Sequence, residues 1–190
     1  AMINLLTFSI QKDVIFQVGN TIVDTVRMTA PLIQAGYPIF RGIDFKKRIL
    51  LVTAHRRESF GAGLQHIFSA FRQIVAFFKD VELVYPVHLN PQVAEPARKM
   101  LGGIARIHLL RPLTYEETYW LMGRSHAILT DSGGIQEEAP SFHKPVLVLR
   151  QVTERKVGIR AGVARLVGTD ERRIVRETKR LLGLPTVYRR

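Results

Sequence analysis

Cysteine is absent from the 190 residues, which excludes disulfides and any thiolate metal site. No apolar run reaches the roughly 18 residues that span a bilayer, and no signal peptide is evident, so the sequence reads as that of a soluble, cytoplasmic protein. The six histidines show no His-x-x-x-His or His-x-His spacing, and no metal is expected. Neither Gly-x-x-x-x-Gly-Lys-Ser/Thr nor Gly-x-Gly-x-x-Gly occurs, which removes ATPase and NAD readings and implies no cofactor. Ser132 lacks the flanks of a nucleophile elbow, because Asp131 precedes it; a Ser-His-Asp hydrolase is set aside. Acidic residues are scarce, 16 against 28 Lys and Arg, for a net charge of +12. That excess invites a polyanion partner. Its distribution argues otherwise: residues 151–190 hold 11 Lys/Arg against 4 Asp/Glu, with Tyr188 the single aromatic residue and no interleaving of aromatics with the charges. A solvated basic helix face explains this better than a nucleic-acid surface.

What remains is the pattern of a globular α/β domain, with one core and the length for one domain rather than two. Apolar runs suited to strands lie at residues 14–18, 49–52, 83–87, 107–109, 127–129, 146–149 and 166–167. Helical patterns separate them at 21–30, 64–78, 92–101, 115–123, 135–141 and 171–182. Strands that are apolar without alternation, separated by amphipathic helices, predict a parallel sheet covered on both faces. Residues 31–47, with Gly36, Pro38 and Gly42, read as a loop or linker. No internal repeat or low-complexity tract is present, and nothing in the composition opposes self-association.

Polar clusters fall where predicted strands end: His55-Arg56-Arg57-Glu58-Ser59, His88-Leu89-Asn90, residues 131–134, and residues 150–155. Open α/β sheets bind ligands beyond those ends. The most informative cluster is Asp131-Ser132-Gly133-Gly134-Ile135-Gln136-Glu137-Glu138, a strand passing through Ser-Gly-Gly into a helix. Free backbone N–H groups at such a helix start favour an anion, and glycines let a phosphate approach closely. Glu138, at i+4 from Gly134, lies on the same helix face, where its carboxylate can accept from the paired hydroxyls of a ribose. The plain alternative is an ordinary turn with Ser132 as N-cap, and spacing alone leaves both open. A His and two guanidiniums suit a diphosphate, yet His55, taken alone, reads more simply as part of a charged surface turn. The glycines after it, Gly61 and Gly63, imply close backbone approach. His88 sits between prolines in a stiff loop, facing either a ligand or its own backbone.

Taken in register, these segments resemble a known family. Thr53-Ala54-His55-Arg56-Arg57-Glu58-Ser59, Val84-Tyr85-Pro86-Val87-His88-Leu89-Asn90-Pro91, and Leu129-Thr130-Asp131-Ser132-Gly133-Gly134-Ile135-Gln136-Glu137-Glu138-Ala139-Pro140-Ser141 come in order. Lys144-Pro145-Val146-Leu147-Val148-Leu149-Arg150 and Thr153-Glu154-Arg155 follow. Together they resemble the C-terminal domain of bacterial non-hydrolysing UDP-N-acetylglucosamine 2-epimerases, from Val18-Gly19-Asn20-Thr21 to nearly the end. The resemblance implies a three-layer, Rossmann-like parallel sheet forming one half of a two-domain glycosyltransferase-B-type fold, with the active site in the cleft. It implies interconversion of UDP-N-acetylglucosamine and UDP-N-acetylmannosamine through elimination of UDP to a 2-acetamidoglucal and its re-addition.

The same resemblance assigns roles. His55 would contact the diphosphate and support departure of UDP. Ser132, Gly133 and Gly134 would hold the phosphates, Glu138 the ribose, and Arg155 the diphosphate side of the cleft. Leu113, through its backbone, and Thr118 match uracil-side contacts. Arg56 and His88 match residues that bind a second, activating UDP-N-acetylglucosamine in some members. The departures are informative too. The N-terminal domain, with the acidic residues that handle the C2 proton, is missing, and no carboxylate pair here replaces them. Lys156-Val157 stands where the family has Pro-Glu, and Thr118 where a large aromatic is common. The sequence stops at Val187-Tyr188-Arg189-Arg190, before the family's Asn-Pro-Tyr-Gly-Asp-Gly segment. The expectation is a UDP-binding half-enzyme, catalytically incomplete. The alternatives are the matching half of a hydrolysing UDP-sugar epimerase or glycosyltransferase, or a stand-alone UDP-sugar or polyanion-binding module.

Overall fold

In the computed structural model, which describes residues 2–34 and 36–183, six parallel strands form one sheet in the order β3-β2-β1-β4-β5-β6. They are β1 (Arg48–Thr53), β2 (Val81–Pro86), β3 (Ile107–Leu110), β4 (Ala127–Thr130), β5 (Val146–Val148) and β6 (Ala164–Leu166). β1 and β4 lie side by side although two strands separate them in sequence, with Thr53 opposite Thr130. The order runs one way from β1 and the other way from β4, so the sheet reverses direction between them. In a doubly wound sheet that reversal opens a crevice at the strands' carboxyl ends.

Burial on both faces explains the unbroken apolar strands. Leu50 and Val52 of β1 point into one core with Leu83, Tyr85, Ala127, Leu129 and Leu147. Ile49 and Leu51, of opposite pleat, join Val84, Ile128, Val146 and Val148 in the other. The first core is roofed by α3 (Ala62–Phe77), α4 (Pro91–Leu101) and α8 (Glu171–Gly183). The second is roofed by α2 (Thr21–Thr29), α5 (Tyr115–Arg124) and the turn Pro38–Phe40, with α6 (Gly133–Glu138) at its edge. Helix boundaries follow capping chemistry. Asn90 Oδ1 accepts from Gln92 N–H at 3.0 Å with Pro91 in the first position, and Thr114 and Glu117 form a capping box on α5.

Three expectations need correction. Residues 14–18 form no strand; a 3-10 turn at Lys12–Val14 leads into irregular chain. Apolar residues make a strand only where a neighbour supplies hydrogen bonds, and among the described residues no strand pairs with this segment. Two short helices, α1 (Met2–Thr7) and α7 (Lys156–Arg160), escaped the pattern; neither has a buried residue to impose a helical period. Gly61 serves no close approach: a Cβ there would meet nothing within 4 Å, and it is the φ of +71° that calls for glycine. The segment read as loop or linker at 31–47 is irregular, with short turns, but it lays Phe40 and Ile43 into the core. Phe40 stacks on Trp120 at 4.8 Å, with Tyr37 and Phe45 edge-on to the same indole. The closing residues Val187 to Arg190 lie outside the described residues. No described helix is long and apolar enough to cross a membrane.

Candidate functional site

At the reversal between β1 and β4, the chain leaving β1 passes Ala54 into His55 and Arg56, and the chain leaving β4 enters Asp131 and Ser132. One buried carboxylate ties the two turns together. Asp131 is 0% exposed, and its Oδ2 accepts the backbone N–H of His55 at 2.6 Å and of Arg56 at 2.7 Å. Below it the Thr53 and Thr130 hydroxyls share a hydrogen bond of 2.5 Å, and Thr130 Oγ1 accepts from Ser132 N–H at 2.9 Å. Two strand ends are thereby locked in register beneath the site.

Ser132 occupies the N-cap position of α6, but its hydroxyl makes no capping hydrogen bond. Thus the plain N-cap reading fails in its side-chain part. Gly133 is buried against Arg155: a Cβ there would lie 3.5 Å from the guanidinium carbon. Gly134 is exposed, and its missing Cβ leaves space between Ser132 Oγ and Glu138 Oε1.

Arg155 is brought in from the other side of the crevice by a polar relay. Gln136 Nε2 donates to Ser132 O at 3.0 Å, Thr153 Oγ1 donates to Gln136 Oε1 at 2.8 Å, and Arg155 N–H donates to Thr153 Oγ1 at 3.1 Å. The guanidinium rests between two carboxylates, Glu137 at 2.7 Å and Glu154 at 3.1 Å. Arg150 likewise bridges Glu58 at 2.7 Å and Glu154 at 3.1 Å, so the loop after β5 is pinned to the turn after β1. An anion entering here meets cations already held by acids, whose charges must be displaced or shared.

Glu138 is half-buried, and burial first, then the charge of Glu137, pushes its carboxyl above the usual range. Beside it, burial pushes the phenol of Tyr119 well up, with Tyr115 and Glu138 adding to the effect. Tyr119 belongs to α5, the helix that also carries Thr118 and directly follows Leu113. Both of those residues are partly buried, and the Thr118 hydroxyl is spent on Thr114 O at 2.8 Å. His88, exposed at the end of β2, stacks on His55 with ring centroids 5.4 Å apart and planes 11° apart. His55, Arg56, His88, Ser132, Gly133, Gly134, Glu138 and Arg155 therefore share the carboxyl edge of the sheet, with Leu113 and Thr118 on its β3 side. Sequence reasoning passed over Asp131, Gln136 and Thr153. All three lie inside strand-end clusters that the sequence displays, but their own roles, as a buried anchor and a relay, depend on partners that spacing does not reveal.

The class these features define is the doubly wound α/β protein with its ligand crevice at the strand-order reversal. The family profile described as UDP-N-acetylglucosamine 2-epimerase matches residues 1–189, and the chain belongs to that family. It is 49% identical over 189 residues to the UDP-N-acetylglucosamine 2-epimerase of Salmonella typhimurium, covering 94% of this chain and 50% of that protein. Staphylococcus aureus MnaA, solved with UDP, superposes with a TM-score of 0.89 at 39% identity, over 98% of this chain and 51% of the other. The Neisseria meningitidis UDP-GlcNAc 2-epimerase bound to UDP-GlcNAc gives 0.85 at 36% identity, over 98% and 52%. The chain spans about half the length of the relatives it matches. The Rossmann-like parallel sheet implied by the motifs is what the structure shows, and it superposes on about half of each of these longer relatives.

Proposed function

We propose that this chain is the UDP-binding, C-terminal half of an enzyme that interconverts UDP-N-acetylglucosamine and UDP-N-acetylmannosamine. The observation that carries the reading is the convergence, at one strand-order reversal, of a Ser-Gly-Gly helix start, an imidazole and a guanidinium. Relatives of the same fold hold UDP and UDP-GlcNAc. In this assignment Ser132, Gly133 and Gly134 present backbone N–H groups to the phosphates. Arg155, partly released from Glu137 and Glu154, adds a charged donor. Glu138 accepts from the ribose hydroxyls, and the uracil lies along Leu113 and Thr118. His55 faces the diphosphate, where donation to a phosphate oxygen stabilises the charge that grows as the sugar C1–O bond breaks. Arg56 and the His88 ring, stacked on His55, are placed for a second nucleotide sugar.

Epimerisation at C2 also needs a base on one face of the sugar and an acid on the other. The acids nearest the crevice are committed: Asp131 to backbone N–H groups, Glu137 and Glu154 to Arg155, and Glu138 to the ribose in this reading. The 190 residues alone are therefore expected to bind UDP without converting UDP-N-acetylglucosamine. In this reading the half of the relatives' length that these residues do not span supplies the proton chemistry and closes the cleft.

Calorimetry tests the reading directly. UDP should bind at least about tenfold more tightly than uridine, since each charge-assisted hydrogen bond is worth about 1.5–3 kcal/mol. Equal affinities would remove the phosphate assignment. Glu138→Ala should weaken UDP and spare inorganic diphosphate. Sustained exchange at C2 in deuterated water, abolished by His55→Ala, would show that the half is competent after all.

A further inference from the structure

We propose that Asp131 is a positioning residue that fixes the tautomer of His55, with Nδ1–H turned into the protein and Nε2 left for the ligand. The inference deepens the UDP reading and uses its placement of His55. A fully buried carboxylate is costly unless hydrogen bonds and positive charge compensate it. Asp131 has two short backbone donors, but both fall on Oδ2. Oδ1 is buried and lacks an aligned hydrogen bond. His55 Nδ1 faces it at 3.4 Å, while the Tyr85 phenol, which the Asp131 charge also reaches, is spent on Ala54 O.

A carboxylate only accepts, so the imidazole nitrogen turned toward it is the one that carries a proton. A modest turn of the half-exposed His55 ring brings that N–H into line with Oδ1. Because the same carboxylate holds the main-chain N–H of His55, backbone and ring are fixed from one anchor. His88, stacked at 5.4 Å, further limits how the ring can tilt. The nitrogen left over is Nε2. It accepts when the ring is neutral, and donates to a phosphate oxygen when the ring takes a second proton, beside a carboxylate that balances the charge. Carboxylate-oriented imidazoles in other sites follow the same logic.

Asp131→Asn is the discriminating variant, because it is isosteric. Its carboxamide oxygen must take over the two backbone donors at Oδ2. That leaves the NH2 group facing His55 Nδ1, which turns this nitrogen into an acceptor and moves the ring proton to Nε2. The readout is the 15N NMR signature of the His55 ring in the 190-residue chain, assigned with His55→Gln. The expected result is Nδ1–H in the parent protein and Nε2–H in Asp131→Asn. The tautomer ratio should shift by at least about tenfold, as when a charge-assisted hydrogen bond to one ring nitrogen is exchanged. Nε2–H in the parent, or the same tautomer in both proteins, would overturn the proposal. Should the variant fail to fold, the parent spectrum alone decides. Titration with UDP separates this inference from the reading beneath it. If the Gly133 and Gly134 amides move with UDP while Nε2 does not, His55 is not presented to the ligand, and the proposal falls. If no resonance moves, the nucleotide reading falls, while the tautomer still decides the role of Asp131.

Discussion

Residues 2–18 and the sheet body are built from similar apolar side chains and meet opposite fates. In the body, Phe68 is 0% exposed, between α3 and the sheet. In the leading segment Ile3 is 72%, Phe8 79% and Phe16 80% exposed, and α1 buries nothing. Hydrophobicity alone therefore specifies neither element nor burial. A strand needs a neighbour to satisfy its backbone, and a helix needs a surface for its apolar stripe. The body supplies both to its own elements; the leading segment finds neither among the described residues.

The largest effect that would sharpen the contrast is a matched pair of truncations. Phe68→Ala is expected to cost about 3–5 kcal/mol, because its neighbours Phe71 and Tyr85 can only partly collapse into the space. Phe16→Ala should cost nothing measurable, since its ring is already 80% exposed. Urea unfolding of both variants checks the pair, and a cost above about 1 kcal/mol for Phe16→Ala would show that the segment docks on the body.

Next in size is a change that separates the site from the fold. At Gly133 an added Cβ makes ordinary contact with Arg155 rather than a clash, and the backbone has no positive φ. Gly133→Ala should keep stability within about 1 kcal/mol of the parent, since Ala favours helix over Gly by roughly that amount. If phosphate approaches this backbone, UDP affinity should fall about tenfold, the loss of one charge-assisted hydrogen bond. Undiminished UDP binding would place the phosphates elsewhere.

A smaller effect follows from the half-buried acid. With its carboxyl raised by burial and by Glu137, Glu138 ionises less readily folded than unfolded. Stability is therefore lost as pH rises through the unfolded carboxylate range toward the raised folded value, and the loss persists at neutral pH. Glu138→Gln removes the charge, so its melting temperature should exceed the parent's at pH 7 and match it near pH 4. The same variant should bind UDP less well, a gain in stability at the expense of function. A melting temperature that gains equally at both pH values would assign the effect to something other than ionisation.

The sheet body was legible because its signals are local and repeated. Residues 49–52 and 127–129 are unbroken apolar runs, and runs of that kind arise when both faces are covered. The leading segment was misread because 14–18 has the same composition without the neighbour, and a sequence does not display a missing neighbour. At the site, the strand-to-helix turn through Ser-Gly-Gly, with Glu138 one turn further on, was legible from spacing, while what it binds was left open. The strand order that brings His55 beside Ser132 was not legible, since 76 residues separate His55 from Asp131. The roles of Thr153 and Gln136, although both stand in the quoted clusters, were hidden for the same reason: their value lies in a relay between separate turns. Motif resemblance supplied in one step what pairwise physics could not.

The smallest expected effect is also the most direct test of the contrast. Deleting residues 2–18 while keeping Gly19 and Asn20 removes no buried side chain and preserves the cap of α2, where Asn20 Oδ1 accepts from Ile22 N–H at 3.1 Å. Unfolding free energy should change by less than about 0.5 kcal/mol, as for surface changes away from caps and core. Solubility should rise, because nine large apolar side chains, Met2, Ile3, Leu5, Leu6, Phe8, Ile10, Val14, Phe16 and Val18, leave the surface with the segment. UDP affinity should also hold, since the segment holds no strand of the sheet and none of the residues assigned above to the ligand. If the deletion instead lowers stability by several kcal/mol, the segment packs on the body, and the two regions differ in degree rather than in kind. If stability holds but UDP binding fails, the leading segment reaches the ligand, and the half-site described above is short of one wall.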